Sequence, residues 1–169
     1  MDGELTTFDL VQPTRRREWH IRRGDELVAT LRLPVFRRGG RAELYGRRFA
    51  LRAEGVVRAR HTIRDEATNE HLARVLPARG RQVLELGDRT GEWKRLARSA
   101  GHGVVDADGE PFFRGRVASG LFRTNGELEV APGLPDQEAG LLALLGAYLL
   151  IRKAEASAGV AGALTGAGA

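Results

Sequence analysis

Arginine dominates the chemistry available to this 169-residue chain. One stretch gathers it most densely: Arg37-Arg38-Gly39-Gly40-Arg41, followed by Arg47-Arg48. The glycine pair predicts a turn that draws several guanidinium groups to one end of the structure. A guanidinium is planar and binds phosphate through paired hydrogen bonds. Arg37, Arg38, Arg41, Arg47 and Arg48 are therefore the candidate ligands of a phosphate group, whether a lipid headgroup or a nucleic-acid backbone. The competing account is an ordinary solvated hairpin tip.

Other chemistries find less support. His20, His61, His71 and His102 are scattered, without the helical spacing of a metal-binding pair, and cysteine is absent. Ser99, Ser119 and Ser157 are the only serines, none of them in a G-x-S-x-G elbow. Asp106-Ala107-Asp108-Gly109-Glu110 has a calcium-loop flavour, but its glycine comes too early and Pro111 follows, so it reads as a hairpin turn. Gly101-His102-Gly103 is a lone G-x-G. No spacing favours a pair among the 22 acids. The expectation is a non-enzymatic domain without cofactor or metal.

Net charge is +5, and its distribution is uneven. Residues 1–60 hold 14 Arg against 8 acids, whereas residues 61–169 hold 13 basic residues against 14 acids. A basic N-terminal third suggests a polyanionic partner. Only Lys94 and Lys153 are lysines, and with abundant Ala and Gly this usage also fits a GC-rich coding bias. The first residues carry no secretory pattern, which with the lack of cysteine suggests a cytoplasmic protein.

The elements that must position these groups read mainly as strands. Leu27, Ala29, Leu31 and Leu33 alternate with Val28, Thr30 and Arg32. Phe49, Leu51 and Ala53 alternate with Arg48, Ala50 and Arg52, and Phe113, Gly115 and Val117 with Phe112, Arg114 and Arg116. Period two places one face in a core and the other in water. Turn signals followed by Glu recur at Gly24-Asp25-Glu26, Thr68-Asn69-Glu70, Thr90-Gly91-Glu92, Asp108-Gly109-Glu110 and Asn125-Gly126-Glu127. Tyr45-Gly46-Arg47 supplies a sixth. Six hairpins make about twelve strands, enough to close a barrel.

After Pro135, Asp136-Gln137-Glu138 opens an uncharged run from Ala139 to Ile151 that Arg152-Lys153 closes. Acids at the start and cations at the end are helix signals. The run is about 20 Å long, short of a bilayer core of about 30 Å. It is apolar on every side, so burial inside protein is the expectation. Ala139, Ala143 and Ala147 form a ridge of small side chains, and Tyr148 needs a partner for its hydroxyl if buried. Residues 1–16 read as a flexible arm, 17–155 as one domain with its helix at 136–153, and 156–169 as a disordered Ala/Gly-rich tail.

Hairpins in series followed by one hydrophobic helix resemble the tubby C-terminal-like superfamily, which includes the phospholipid scramblases and the LURP-one-related proteins. The resemblance spans about residues 17–155. It rests on the hairpin rhythm, on Trp19-His20-Ile21-Arg22, on Val104-Val105-Asp106-Ala107-Asp108-Gly109 and on the helix Ala139–Ile151. It implies a closed antiparallel barrel of about twelve strands around a central hydrophobic helix. It further implies a possible partner in anionic phospholipid, at the periphery of a membrane. The tubby headgroup residues and the scramblase calcium loop have no counterpart here, so no site residue is carried over. Three functions stay open: binding of anionic lipid or another phosphate-bearing ligand, nucleic-acid binding, and a protein-interaction scaffold. Convergence of the five arginines, a long basic groove with exposed aromatics, or arginines dispersed among acids would distinguish them.

Overall fold

A computed structural model describes residues 4–35, 38–55, 59–97, 101–119 and 123–165. Twelve strands run in chain order as an antiparallel meander: β1 (Thr6–Val11), β2 (Glu18–Arg23), β3 (Glu26–Arg32), β4 (Gly39–Leu44), β5 (Arg47–Glu54), β6 (Arg60–Asp65), β7 (His71–Ala78), β8 (Arg81–Leu86), β9 (Arg89–Arg95), β10 (His102–Val105), β11 (Pro111–Ser119) and β12 (Thr124–Val130). Each strand pairs with the next, and β12 pairs with β1, so the barrel is closed and has no free edge. A single helix, α1 (Asp136–Thr165), follows β12. The barrel and helix match the expected fold class.

The first strand corrects the expectation of an N-terminal arm. Phe8 and Leu10 point into the core and are fully buried, while Thr7 and Asp9 face outward. Thr6–Leu10 is paired with residues 126–130, and Asp9–Val11 with residues 20–22. Without β1 the ladder would end on two open edges. Gln12, just beyond it, fastens the seam. Its side-chain oxygen accepts from the Thr124 amide (2.8 Å), its Nε2 donates to the Arg16 carbonyl (2.9 Å), and its own amide donates to Asn125 Oδ1 (3.2 Å).

The helix threads the lumen. Every residue from Ala139 to Ile151 is buried. Its neighbours come from strands spread around the ring. A Cβ on Gly140 would meet Leu44 of β4, one on Gly146 would sit 2.0 Å from the Phe113 ring of β11, and Tyr148 bonds His61 of β6. Gly146 thus permits the tightest helix-to-wall approach here, and Gly115 on β11 makes room for Leu150 in the same way. The helix does not stop near residue 153; it continues through Thr165, which corrects the expected disordered tail over residues 156–165, while 166–169 lie outside the described residues. Alanine-rich sequence favours helix, and the stretch carries no proline.

Two features of the strand reading also change. Val28 is the extra residue of a bulge, since Ile21 pairs with Ala29 and Arg22 with Leu27. The phase therefore flips: Val28 and Ala29 are both buried, and Leu27 is half exposed at 50%. Thr90-Gly91-Glu92 and Asn125-Gly126-Glu127 lie inside β9 and β12 instead of at turns. The β8–β9 turn is Gly87-Asp88, because Leu86 pairs with Arg89. Tyr45-Gly46 does turn its hairpin, with both residues at positive φ (48° and 77°), as a two-residue type I′ loop requires.

Candidate functional site: an arginine wall

The hairpin of β4 and β5 scatters the arginines that the sequence places side by side. Arg38 sits at the barrel end where α1 leaves and donates to the Gly55 carbonyl at 2.9 Å. Arg47 sits at the opposite end, beside the Tyr45-Gly46 turn, and is ion-paired with Asp65 while its guanidinium lies 5.6 Å from the Phe49 ring centre. Asp65 is buried. Its carboxylate also accepts from the amides of Ala67 (2.7 Å) and Thr68 (3.2 Å), and these two bonds first, then Arg47, hold its pKa below the usual carboxylate range. Arg47 is therefore engaged in closing the β6–β7 turn. Arg37 lies outside the described residues. Of the four that are described, only Arg41 and Arg48 share a surface, on the outer wall.

That wall has its own pattern, carried by register. Arg32, Arg41, Ala50 and Arg64 stand in one cross-strand row over β3 to β6. The row two residues along places Arg52, Thr62 and Arg74 side by side on β5, β6 and β7. Arg48 faces Glu43 in the row on the other side. Neighbouring strands are about 4.8 Å apart, so Arg52 and Arg74 rise about 10 Å apart with a buried, outward Thr62 between them. A shallow depression of about 370 Å³ lies between Thr30, Arg32, Arg41, Arg48, Glu43 and Glu66.

Several of these arginines are tied. Arg32 binds Glu18 at 2.6 Å, Arg64 donates to Asn69 (2.8 Å) and contacts His71 Nε2 (3.0 Å), and Arg41 stands 3.6 Å from Glu66 with most of its side chain in solvent. Arg48, Arg52, Arg60 and Arg74 have no acid partner among the described residues. On the same wall the pKa of His71 is pushed down by loss of solvent first, and then by Arg64 and Arg74. Strands β5, β6 and β7 together carry six Arg against two acids, Glu54 and Asp65. Strands β1 and β12 carry three acids, Asp9, Glu127 and Glu129, and no basic residue. In the twelve-strand ring β12 is diametrically opposite β6. The basic excess therefore lies on the β5–β7 side, while the acids of β1 and β12 are matched in register by Arg22 of β2 and by Arg114 and Arg116 of β11.

Sequence reasoning missed Arg52, Arg60, Arg64 and Arg74, which are separated along the chain and come together only through strand pairing. Aromatic platforms are scarce on the wall. Trp19 and Trp93 are buried, and Tyr45 is the one exposed large aromatic among the described residues, on the rim. Comparison of the chain with family models, with curated proteins and with solved structures returns no match.

Proposed function

We propose that this is a non-enzymatic binding module that docks its β5–β7 wall on phosphate-bearing anionic surfaces, the headgroups of anionic phospholipids foremost. The observation that carries the reading is the set of arginines without an acid partner among the described residues, Arg48, Arg52, Arg60 and Arg74, on a side of the barrel whose three strands carry six Arg against two acids. Such a one-sided basic excess orients the molecule as it approaches a negative surface. The scarcity of exposed aromatic side chains among the described residues favours a phosphate surface over single-stranded nucleic acid, which is held by base stacking. A barrel around a hydrophobic helix also agrees with the resemblance to tubby-like proteins, and we extend that family proposal to this chain. No helix of the described residues is long and apolar enough to cross a membrane, so attachment through the wall would be peripheral.

Co-flotation with phosphatidylcholine vesicles, with and without phosphatidylserine, tests the reading. Each arginine near an anionic surface contributes about 1 kcal/mol. Replacing Arg52, Arg60 and Arg74 together by Ala should therefore weaken binding about a hundredfold. Binding should also fall as salt shortens the Debye length toward about 8 Å. Arg114→Ala on the opposite wall is the control and should change little. Equal recovery with neutral vesicles, or a triple variant that floats as well as the parent, would remove the proposal. Preferential binding to a single-stranded polynucleotide would move the wall to nucleic-acid recognition.

A further inference from the structure

A second feature is independent of the wall. Where α1 leaves the barrel, a cleft of about 540 Å³ lies between its residues 150–157 and the rims of β9, β10 and β11. That volume lies in the range of small-molecule sites, about 300–1,000 Å³. The helix contributes Leu150, Lys153, Ala154 and Ser157, which at i, i+3, i+4 and i+7 form one stripe. The strands contribute Arg95, His102, Arg116 and Val117, and Leu96 and Gly101 come from the loop between β9 and β10. Small side chains explain why the cleft is open. Ala154 and Ser157 leave the helix face shallow, and Gly101 approaches the β11 backbone so closely that a Cβ would lie 2.2 Å from the Gly115 carbonyl oxygen.

The lining is divided by chemistry. Leu96, Val117 and Leu150 make an apolar floor. Over it stand Lys153 and Arg95, neither with an acid partner among the described residues, and Arg116, which is held by Glu127 at 3.0 Å. His102 is fixed by stacking on Trp93, with ring centres 5.9 Å apart and planes 20° apart. Its Nε2 is out of contact with water yet has no hydrogen-bond partner. Burial first, then Lys153 and Arg95, pushes the pKa of this imidazole down.

We infer that this cleft binds a small amphipathic anion, an alkyl chain ending in a carboxylate or a phosphate monoester. The head would lie between Lys153 and Arg95, beside the His102 ring, and the chain on Leu96, Val117 and Leu150. A free fatty acid and a lysophospholipid-type head share this chemistry, and the two arms of the test separate them.

Calorimetric titration of the full chain with decanoate and with decyl phosphate, both below micelle-forming concentration, should show one site. The tighter of the two identifies the head. Lys153→Ala and Arg95→Ala should each weaken binding at least tenfold, and Ala154→Trp, which fills the cleft, should abolish it. Arg52→Ala, on the outer wall, should leave it unchanged, so failure here and failure of the wall are distinguishable. The ring resonances of His102 should shift on saturation, and its titration midpoint should rise as the anion offsets the two cations. Three results would overturn the inference: decanol binding as tightly as decanoate, inorganic phosphate as tightly as decyl phosphate, or unaltered binding in both Lys153→Ala and Ala154→Trp.

Discussion

Acid should loosen the barrel through one residue, His61. Its ring lies on the inner side of β6, and its Nδ1 meets the Tyr148 hydroxyl at 3.3 Å, with the two rings edge to face at 5.3 Å. The helix groups nearest this contact are cationic or in turn paired. The Arg152 guanidinium lies 5.7 Å from the centre of the Tyr148 ring and donates to Glu155 (3.3 Å) and to the Gly39 carbonyl (2.8 Å), while Glu155 is also ion-paired with Arg17. Burial, followed by the Arg152 charge, lowers the His61 pKa from 6.5 to about 4. The folded protein therefore binds fewer protons than the unfolded chain between these two values. Stability is intact above the unfolded pKa and is lost as pH falls toward the folded one. At pH 5 the unfolded chain is almost fully protonated at this site and the folded one is not, a loss of about 2 kcal/mol relative to pH 7, growing to about 3 kcal/mol below pH 4. Urea unfolding followed by the fluorescence of Trp19 and Trp93 measures it. His71, His102, Asp65 and Glu18 also titrate with shifted pKa values, so the informative quantity is the difference between the parent and His61→Gln. Glutamine keeps a partner for Tyr148 and has no charge to gain. The gap between the two proteins should move by about 2 kcal/mol in favour of the variant from pH 7 to pH 5. A gap that is the same at both pH values would refute the reasoning.

Three further outcomes follow from the packing. Leu144 is fully buried in the lumen, and Leu144→Asp should cost several kcal/mol and abolish a cooperative urea transition at neutral pH. Gly146→Ala gains about 1 kcal/mol of helix propensity but drives a methyl into the Phe113 ring. It should be destabilising by about 1–2 kcal/mol net, with Phe113→Leu in the same chain recovering part of the loss. Gln12→Ala removes two side-chain bonds from the β1–β12 seam; a drop of about 1–3 kcal/mol is expected, with faster hydrogen exchange at the Thr124 amide than at amides of β6.

The barrel was legible where strand period and turn chemistry agree. Phe49 and Leu51 face inward as their alternation with Arg48 and Arg52 predicts, and Tyr45-Gly46 turns the chain as expected. The uncharged run Ala139–Ile151 announced its own burial. β1 escaped because six residues with two inward apolar side chains do not stand out beside Pro13 and three consecutive arginines; its partner β12 is more than a hundred residues away, and pairing at that distance leaves no local mark. The bulge at Val28 escaped for a related reason, since one extra residue is visible only against the opposing strand. The arginine site was misplaced by the same physics. Residues adjacent in sequence alternate faces along a strand and separate to opposite ends across a hairpin, as Arg38, Arg47 and Arg48 do. Arg52, Arg64 and Arg74, ten or more residues apart, are made neighbours by register.

The distribution of charge also decides from which side this barrel can work. A ring of twelve strands would enclose a wide lumen if empty, but here α1 and the inward side chains form one apolar core. Barrels that cross a bilayer invert this arrangement and turn an apolar band outward. On β4 to β7 the outward positions hold Arg41, Glu43, Arg48, Arg52, Arg64 and Arg74. A single arginine at a bilayer midplane costs about 2–4 kcal/mol, so five on adjoining strands would cost more than the stability of a typical domain. The strands therefore face water, and ligands must come to the outside of the wall or to the rims. The wall offers charge with little apolar surface. The cleft beside residues 150–157 of α1 offers charge next to the apolar side chains of Leu96, Val117 and Leu150.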